Sequence, residues 1–213
     1  MSKFSFIYTG AFLLLLSIFA FFNIIYSYYF SIFLNIDSYT YTFIICSLLG
    51  LFLIFFNKEK LKKITIYEKI TTIIFGYFFF PLIISIPFYF SISNISFLNC
   101  YFESISGFTS TGFTIFENVK HIDQSLIIWR STSQWIGGLY FLFSILLLID
   151  IFDKNLKKSL TDYLSFNSSE IFKQSLKIIV VYILLTFFIF ITLKLINLRT
   201  FDAFNFSLTL ISS

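Results

Sequence analysis

Charged residues are scarce in this chain of 213 residues: they make up 12% of it, about half the share found in an ordinary soluble domain. One histidine and two cysteines are too few for a disulfide framework or a histidine-based zinc site, which argues against soluble zinc enzymes. Hydrophobic residues make up 58% of the chain, and its mean hydropathy is +0.89. Such a composition cannot build a water-compatible surface, so the sequence predicts an integral membrane protein.

Long uncharged runs predict an all-α fold with five membrane-spanning helices, because about 20 apolar residues cross the hydrocarbon core of a bilayer. The runs are residues 4–36, 38–57, 70–102, 124–149 and 178–193, and the only charge within them is Arg130 in the fourth. A single helix is expected to use only the first two thirds of the third run, since Pro81 and Pro87 are predicted to end or kink it.

Lysine residues gather in two linkers, at residues 58–69 and 154–177. Spans three and four separate these linkers with two crossings, so both lie on the same side of the membrane. Basic loops face the cytoplasm by the positive-inside rule, which predicts a multi-pass protein with a cytoplasmic N-terminus. This orientation accounts for the net charge of +4, so the bilayer is an expected partner and nucleic acid is not.

The segment between spans three and four is too polar to face lipid and too apolar for an ordinary external loop. Residues 94–106 are predicted to form a short helix that stops at Gly107. A hydroxyl-rich run follows: Thr109, Ser110, Thr111, Gly112, Phe113 and Thr114. Non-helical backbone at membrane depth must be buried in protein or line a watery path, which favours a re-entrant pore loop with a filter at residues 107–114. The alternative is an external loop that is rich in Thr, Ser and Gly.

A pore loop of this kind suits a monovalent cation. The C-terminal end of the short helix carries a partial negative charge, and backbone carbonyls replace the hydration shell of a potassium ion in selectivity filters. Gly112 can adopt the positive φ that turns successive carbonyls towards one axis. We expect potassium to bind at Ser110 and Thr111.

An offset of 102 residues aligns the chain with itself by order of elements. The aligned pairs are Glu68 with Glu170, Phe102 with Phe204, Ser110 with Ser212, and Thr111 with Ser213. A second unit therefore begins within residues 151–213. Ser212 and Ser213 are predicted to start its filter segment.

Two motifs carry a family resemblance: ESISGFTSTGFT at residues 103–114 and WRSTSQWIGG at residues 129–138. They closely resemble the first pore loop and the following helix of the Trk-type potassium uptake proteins, the TrkH family. Two helices within residues 1–57 resemble the TrkH branch rather than the Ktr branch. The resemblance implies membrane-pore-membrane units arranged as in a potassium channel, with a first unit at residues 58–150 and an incomplete second one at 151–213.

The resemblance also implies a function: potassium uptake across the bacterial inner membrane, by a protein that is not an enzyme. Such transporters usually form homodimers gated by cytosolic Trk-type or Ktr-type nucleotide-binding subunits, so any nucleotide belongs to the partner and no cofactor is expected. Thr109 to Phe113 would form the first filter strand. One unit and part of another cannot surround an ion, so we expect the N-terminal part of a longer transporter. The alternative is a non-transporting helical scaffold or an inactive fragment of an interrupted gene.

Two charged residues fall within the apolar layer, and such residues are functional candidates by default. We hypothesise that Glu103 on the pore helix pairs with Arg130 behind the filter. The alternative is that each side chain reaches the interface separately. Gly137 and Gly138 are predicted to allow close helix contact, with a gating hinge as the alternative.

Overall fold

The structure is a computed structural model that describes residues 6–57, 66–117, 122–148 and 171–212. Within these ranges the chain is helical and contains no strand. The helices are α1 (Phe6–Tyr29), α2 (Ile36–Asn57), α3 (Ile66–Ser91), α4 (Phe97–Phe108), α5 (Gln124–Leu148), α6 (Ile171–Leu195) and α7 (Thr200–Leu210), with a 3-10 turn at Phe33–Asn35 between α1 and α2.

Five of these helices are long and apolar enough to cross a membrane. Their candidate spans are Tyr8–Tyr29, Ile36–Phe56, Lys69–Ser91, Gln124–Leu148 and Leu176–Leu195. The predicted all-α membrane fold is therefore confirmed. Helices α4 and α7 have 12 and 11 residues, so at 1.5 Å per residue they are about 18 and 17 Å long and cannot cross the roughly 30 Å hydrocarbon core.

Helix α5 lies at the centre of the fold. In the apolar stretch of its candidate membrane span, 72% of the residues are buried, whereas in the corresponding stretch of α6 only 6% are. Aromatic rings from three other helices meet the ring of Tyr140 on α5, with ring centroids 4.9 Å away for Phe12, 5.2 Å for Phe80 and 5.5 Å for Phe108. This cluster holds α1, α3 and the short helix α4 against α5.

As expected, α3 uses only the first two thirds of the third run and ends at Ser91, but neither proline ends it, because Pro81 and Pro87 both lie inside the helix. A proline inside a helix lacks the N–H that would bond to the carbonyl four residues earlier, which here are the carbonyls of Tyr77 and Ile83. Two side chains from other helices bond to the carbonyls next to these. Tyr101 Oη donates to the carbonyl oxygen of Phe78 at 3.1 Å, and Trp129 Nε1 donates to that of Ile84 at 3.0 Å.

The pairs α3–α4 and α6–α7 repeat the same arrangement, a span followed by a short helix. Asn94 and Asn197 take up a left-handed conformation between them, with φ of 67° and 64°. Each asparagine lies three residues before the first residue of its short helix. Asparagine tolerates this conformation better than most residues, so a left-handed asparagine reverses the chain in both connections.

Candidate ion-selectivity site

The short helix α4 starts and ends later than predicted. It covers Phe97–Phe108 rather than residues 94–106, because Asn94 is left-handed and Ser96 caps the helix by accepting a hydrogen bond from Asn99 N at 3.3 Å. Gly107 remains helical and fits closely, since a Cβ there would lie 2.6 Å from Ser133 Oγ. The non-helical part of the predicted filter therefore begins at Thr109.

The backbone after α4 folds back onto the helix end. Thr109 N donates to Ile105 O at 2.8 Å, Ser110 N to Gly107 O at 3.0 Å and Thr111 N to Ser106 O at 3.1 Å. With Ser110 left-handed at a φ of 53°, this is a Schellman motif, which satisfies carbonyls at a helix C-terminus. The amide groups of the predicted filter are thus turned towards α4.

The carbonyl oxygens of the same segment are left available. Within the described ranges, no hydrogen bond ends on the carbonyl oxygens of residues 109–112. Gly112 has a φ of 79°, and nothing lies within 4 Å of where its Cβ would be. Thr109, Thr111 and Phe113 are exposed. The hydroxyl of Ser110 is buried and has no partner among the described residues, so its carbonyl rather than its side chain is the candidate ligand.

The chain then returns along the helix. Ser106 Oγ donates to Phe113 O at 2.6 Å and lies 3.1 Å from Thr111 Oγ1. One turn earlier on α4, the Glu103 carboxylate accepts from Thr114 Oγ1 at 3.0 Å and from Ile115 N at 3.0 Å. Successive contacts pair earlier helix residues with later loop residues, which makes the segment a hairpin. The segment therefore has the hairpin shape that a re-entrant loop requires.

Glu103 and Arg130 lie in contact behind this hairpin. Arg130 Nε donates to Glu103 Oε1 at 2.5 Å, and the side chains are 17% and 0% exposed for Arg130 and Glu103. A carboxylate withdrawn from water needs both charge pairing and hydrogen bonds. Here α5 supplies the charge, and the returning limb supplies Thr114 and Ile115. The same carboxylate consequently fixes the limb to α4 and α4 to α5.

A second hairpin begins at α7. Its C-cap is Ile211, and Ser212 Oγ donates to Thr209 O at 2.9 Å. Ser213 lies outside the described residues. Asn205 on α7 accepts a hydrogen bond through Oδ1 from Ser131 Oγ of α5. The second unit is therefore attached to the same helix that holds the first.

The structure brings Thr109 to Phe113, Glu103 and Arg130 into one hairpin site and places Ser212 at the end of the neighbouring short helix. Sequence reasoning missed four contributors: Ser106, Ser131, Ser133 and Asn205. One signal was available for Asn205, since the offset of 102 residues aligns it with Glu103.

Comparison with known proteins identifies the family. The family model TrkH, described as a cation transport protein, matches residues 35–212, which is most of the chain. This chain belongs to the TrkH family. The suspected relationship is thereby confirmed, and the family is one of transporters rather than enzymes, as expected.

Individual relatives match this TrkH-family chain over shorter stretches. An uncharacterized cation transporter of Methanocaldococcus jannaschii is 44% identical over 54 residues, covering 25% of this chain and 11% of that protein. The Trk system potassium uptake protein TrkI of Halomonas elongata is 36% identical over 55 residues, or 26% and 11%. TrkH of Escherichia coli K12 is 26% identical over 103 residues, or 48% and 21%.

A solved structure shares the fold. The crystal structure of the potassium transporter TrkH from Vibrio parahaemolyticus matches with a TM-score of 0.71 at 20% sequence identity, covering 96% of this chain and 42% of that chain. The TrkH-family chain thus spans less than half of the solved transporter's length. At this identity the likeness is one of fold.

Proposed function

We propose that this TrkH-family chain contributes the first filter segment, and the start of the second, to a transporter that takes up potassium. The observation that carries the proposal is the hairpin after α4: its amides bond back to the helix, while no hydrogen bond among the described residues ends on the carbonyls of residues 109–112. A run of uncommitted carbonyls at the C-terminal end of a short helix is the ligand type that replaces potassium hydration. Potassium would bind at the carbonyls of Ser110 and Thr111, with Gly112 and Phe113 continuing the strand.

Transport in this proposal needs further segments around one axis. The described residues contain one hairpin and the short helix of a second unit, whereas selectivity filters surround the ion with a ring of ligands. We assign the remaining segments to further membrane-pore-membrane units of the complete gene product. Conduction then follows from several weak binding sites in a row rather than from any catalytic step.

The proposal includes location and partners. The basic linkers at 58–69 and 154–177 support a cytoplasmic N-terminus in the bacterial inner membrane. The complete protein is assigned a homodimeric state and a cytosolic nucleotide-binding gating subunit of Trk or Ktr type. Nucleotide and its chemistry belong to that subunit, and potassium is the cargo.

The test uses the complete gene product that contains this chain, expressed in cells that lack potassium uptake. Growth at limiting potassium and uptake of rubidium are the measurements.

Gly112→Ala should lower the preference for potassium over sodium, because alanine at a φ of 79° costs about 1–2 kcal/mol. The added methyl group meets no other atom within 4 Å, so the fold should be retained. Ser47→Ala on α2, whose hydroxyl bonds only to Ile44 O of its own helix, is the control. Failure of the unaltered protein to support growth at any expression level contradicts the proposal and favours a non-transporting scaffold.

A further inference from the structure

Helix α5 contacts both hairpins through adjacent residues. Arg130 bonds to Glu103 on α4. The next residue, Ser131, is 3% exposed, and its hydroxyl contacts Asn205 on α7 as well as Ile127 O of its own helix at 3.0 Å. Since Asn205 is the position that the internal repeat aligns with Glu103, consecutive α5 residues hold equivalent positions of two consecutive short helices.

Two helical turns further along, the pattern recurs. Gly137 lies against the end of α4, where any Cβ would overlap with the carbonyl oxygen of Phe108. Gly138 lies against the end of the second hairpin, where a Cβ would be 2.9 Å from Ser212 Cβ and 2.5 Å from Tyr182 Oη. Seven residues are about two turns of an α-helix, so one stripe of α5 faces the first hairpin and the adjacent stripe faces the second.

We propose that α5 sets the spacing between the first and second filter segments, with Ser131 and Gly138 acting as positioning residues for the second segment. Arg130 and Gly137 do the same for the first. This inference rests on the proposed function and deepens it, because it names what fixes the relative position of ligands that must meet at one ion.

The separation between the two filter segments depends on the rigidity of α5. Carbonyls of neighbouring segments that share an ion must keep their separation within a few tenths of an ångström, and binding sites hold such tolerances when they are built on rigid elements. Among the described helices, α5 is the one that contacts both α4 and α7 through side-chain hydrogen bonds. The contacts occur at two levels of each short helix, near its middle and at its C-terminal end, which fixes orientation as well as distance.

The first experiment measures selectivity in the complete gene product. Ser131→Ala and Asn205→Ala should each lower the ratio of potassium to sodium uptake by about two- to tenfold, the range corresponding to one buried neutral hydrogen bond. The double variant should be no worse than either single variant, and Ser131→Thr, which retains the hydroxyl, should keep the original ratio. Ser144→Ala is the matched control, since this buried α5 hydroxyl bonds to Tyr140 O of its own helix.

A second experiment creates a steric overlap at position 138 and then removes part of it. Gly138→Ala should reduce the same ratio, and adding Tyr182→Phe, which removes one of the two atoms in the way, should recover part of it. The proposal is overturned if Ser131→Ala keeps the original ratio, if the Ser131 and Asn205 effects add, or if Ser144→Ala changes the ratio as much as Ser131→Ala.

A third experiment needs no transport. Cysteines at positions 131 and 205 should cross-link under oxidation, because the side chains of Ser131 and Asn205 are in contact and a disulfide needs side chains that face each other at close range. Cys46 and Cys100 are replaced by alanine beforehand, and a protease site within residues 151–170 reports the link as two fragments that stay joined. Absence of the link overturns the α5 proposal. A parent protein that forms the link but takes up no potassium overturns the proposed function instead.

Discussion

Removal of the Arg130 guanidinium should be far more damaging than neutralisation of Glu103. The Glu103 side chain has no exposed surface, whereas that of Arg130 is 17% exposed. Arg130→Leu therefore leaves a carboxylate buried without a counter-charge, which costs about 3–5 kcal/mol. Glu103→Gln leaves a cation that can reach water and retains an oxygen for Ile115 N, so the expected cost is about 1.5–3 kcal/mol, that of a hydrogen bond to a charged group.

The double variant Arg130→Leu/Glu103→Leu distinguishes charge imbalance from lost packing. Replacement of a buried ion pair by apolar residues is often neutral or stabilising, so the double variant should unfold less readily than Arg130→Leu. The assay is the free energy of unfolding of the purified complete protein in mixed micelles, titrated with denaturing detergent. Arg199→Leu at the exposed start of α7 is the matched control and should change stability by less than about 0.5 kcal/mol. The reasoning is refuted if Arg130→Leu resembles this control, or if the double variant is as unstable as Arg130→Leu.

Three further predictions concern single contacts. Trp129→Phe removes the indole donor to Ile84 O of α3 and should cost about 0.5–1.5 kcal/mol of unfolding free energy, measured in the same detergent titration. Ser106→Ala removes the donor to Phe113 O and should raise sodium entry relative to potassium in an ion-flux assay; an unchanged ratio would show that this bond does not shape the filter. Gly76→Ala would place a methyl group on the hydroxyl of Tyr140, costing about 1–3 kcal/mol, and adding Tyr140→Phe should restore part of the lost melting temperature.

The spans were predictable because charged residues separate the apolar runs of this chain from one another. Uncharged runs and basic linkers located all five membrane helices, since a bilayer tolerates few alternatives to a continuous apolar helix. The errors lie where tertiary contacts override local rules. Helix α3 continues through Pro81 and Pro87, where Tyr101 and Trp129 from other helices bond to carbonyls in the turn before each proline, and neither partner can be inferred from the local sequence.

The hairpin was predictable in kind but not in its boundaries. The hydroxyl-rich run indicated a non-helical segment, yet Gly107 stays helical, and its lack of a side chain serves close packing against Ser133 of α5 rather than the end of the helix. The Glu103–Arg130 contact was a hypothesis from two rare charges in an apolar stretch. The link between Ser131 and Asn205 carries no charge, so composition alone offers no signal for such a pair.

The buried Glu103 carboxylate constrains the order in which this protein enters its membrane. Synthesis delivers Glu103 before Arg130, with the hairpin between them. An unpaired carboxylate is costly in hydrocarbon, so α4 must wait in the aqueous interface until α5 has been inserted. The first pore loop is therefore completed only after the span that follows it.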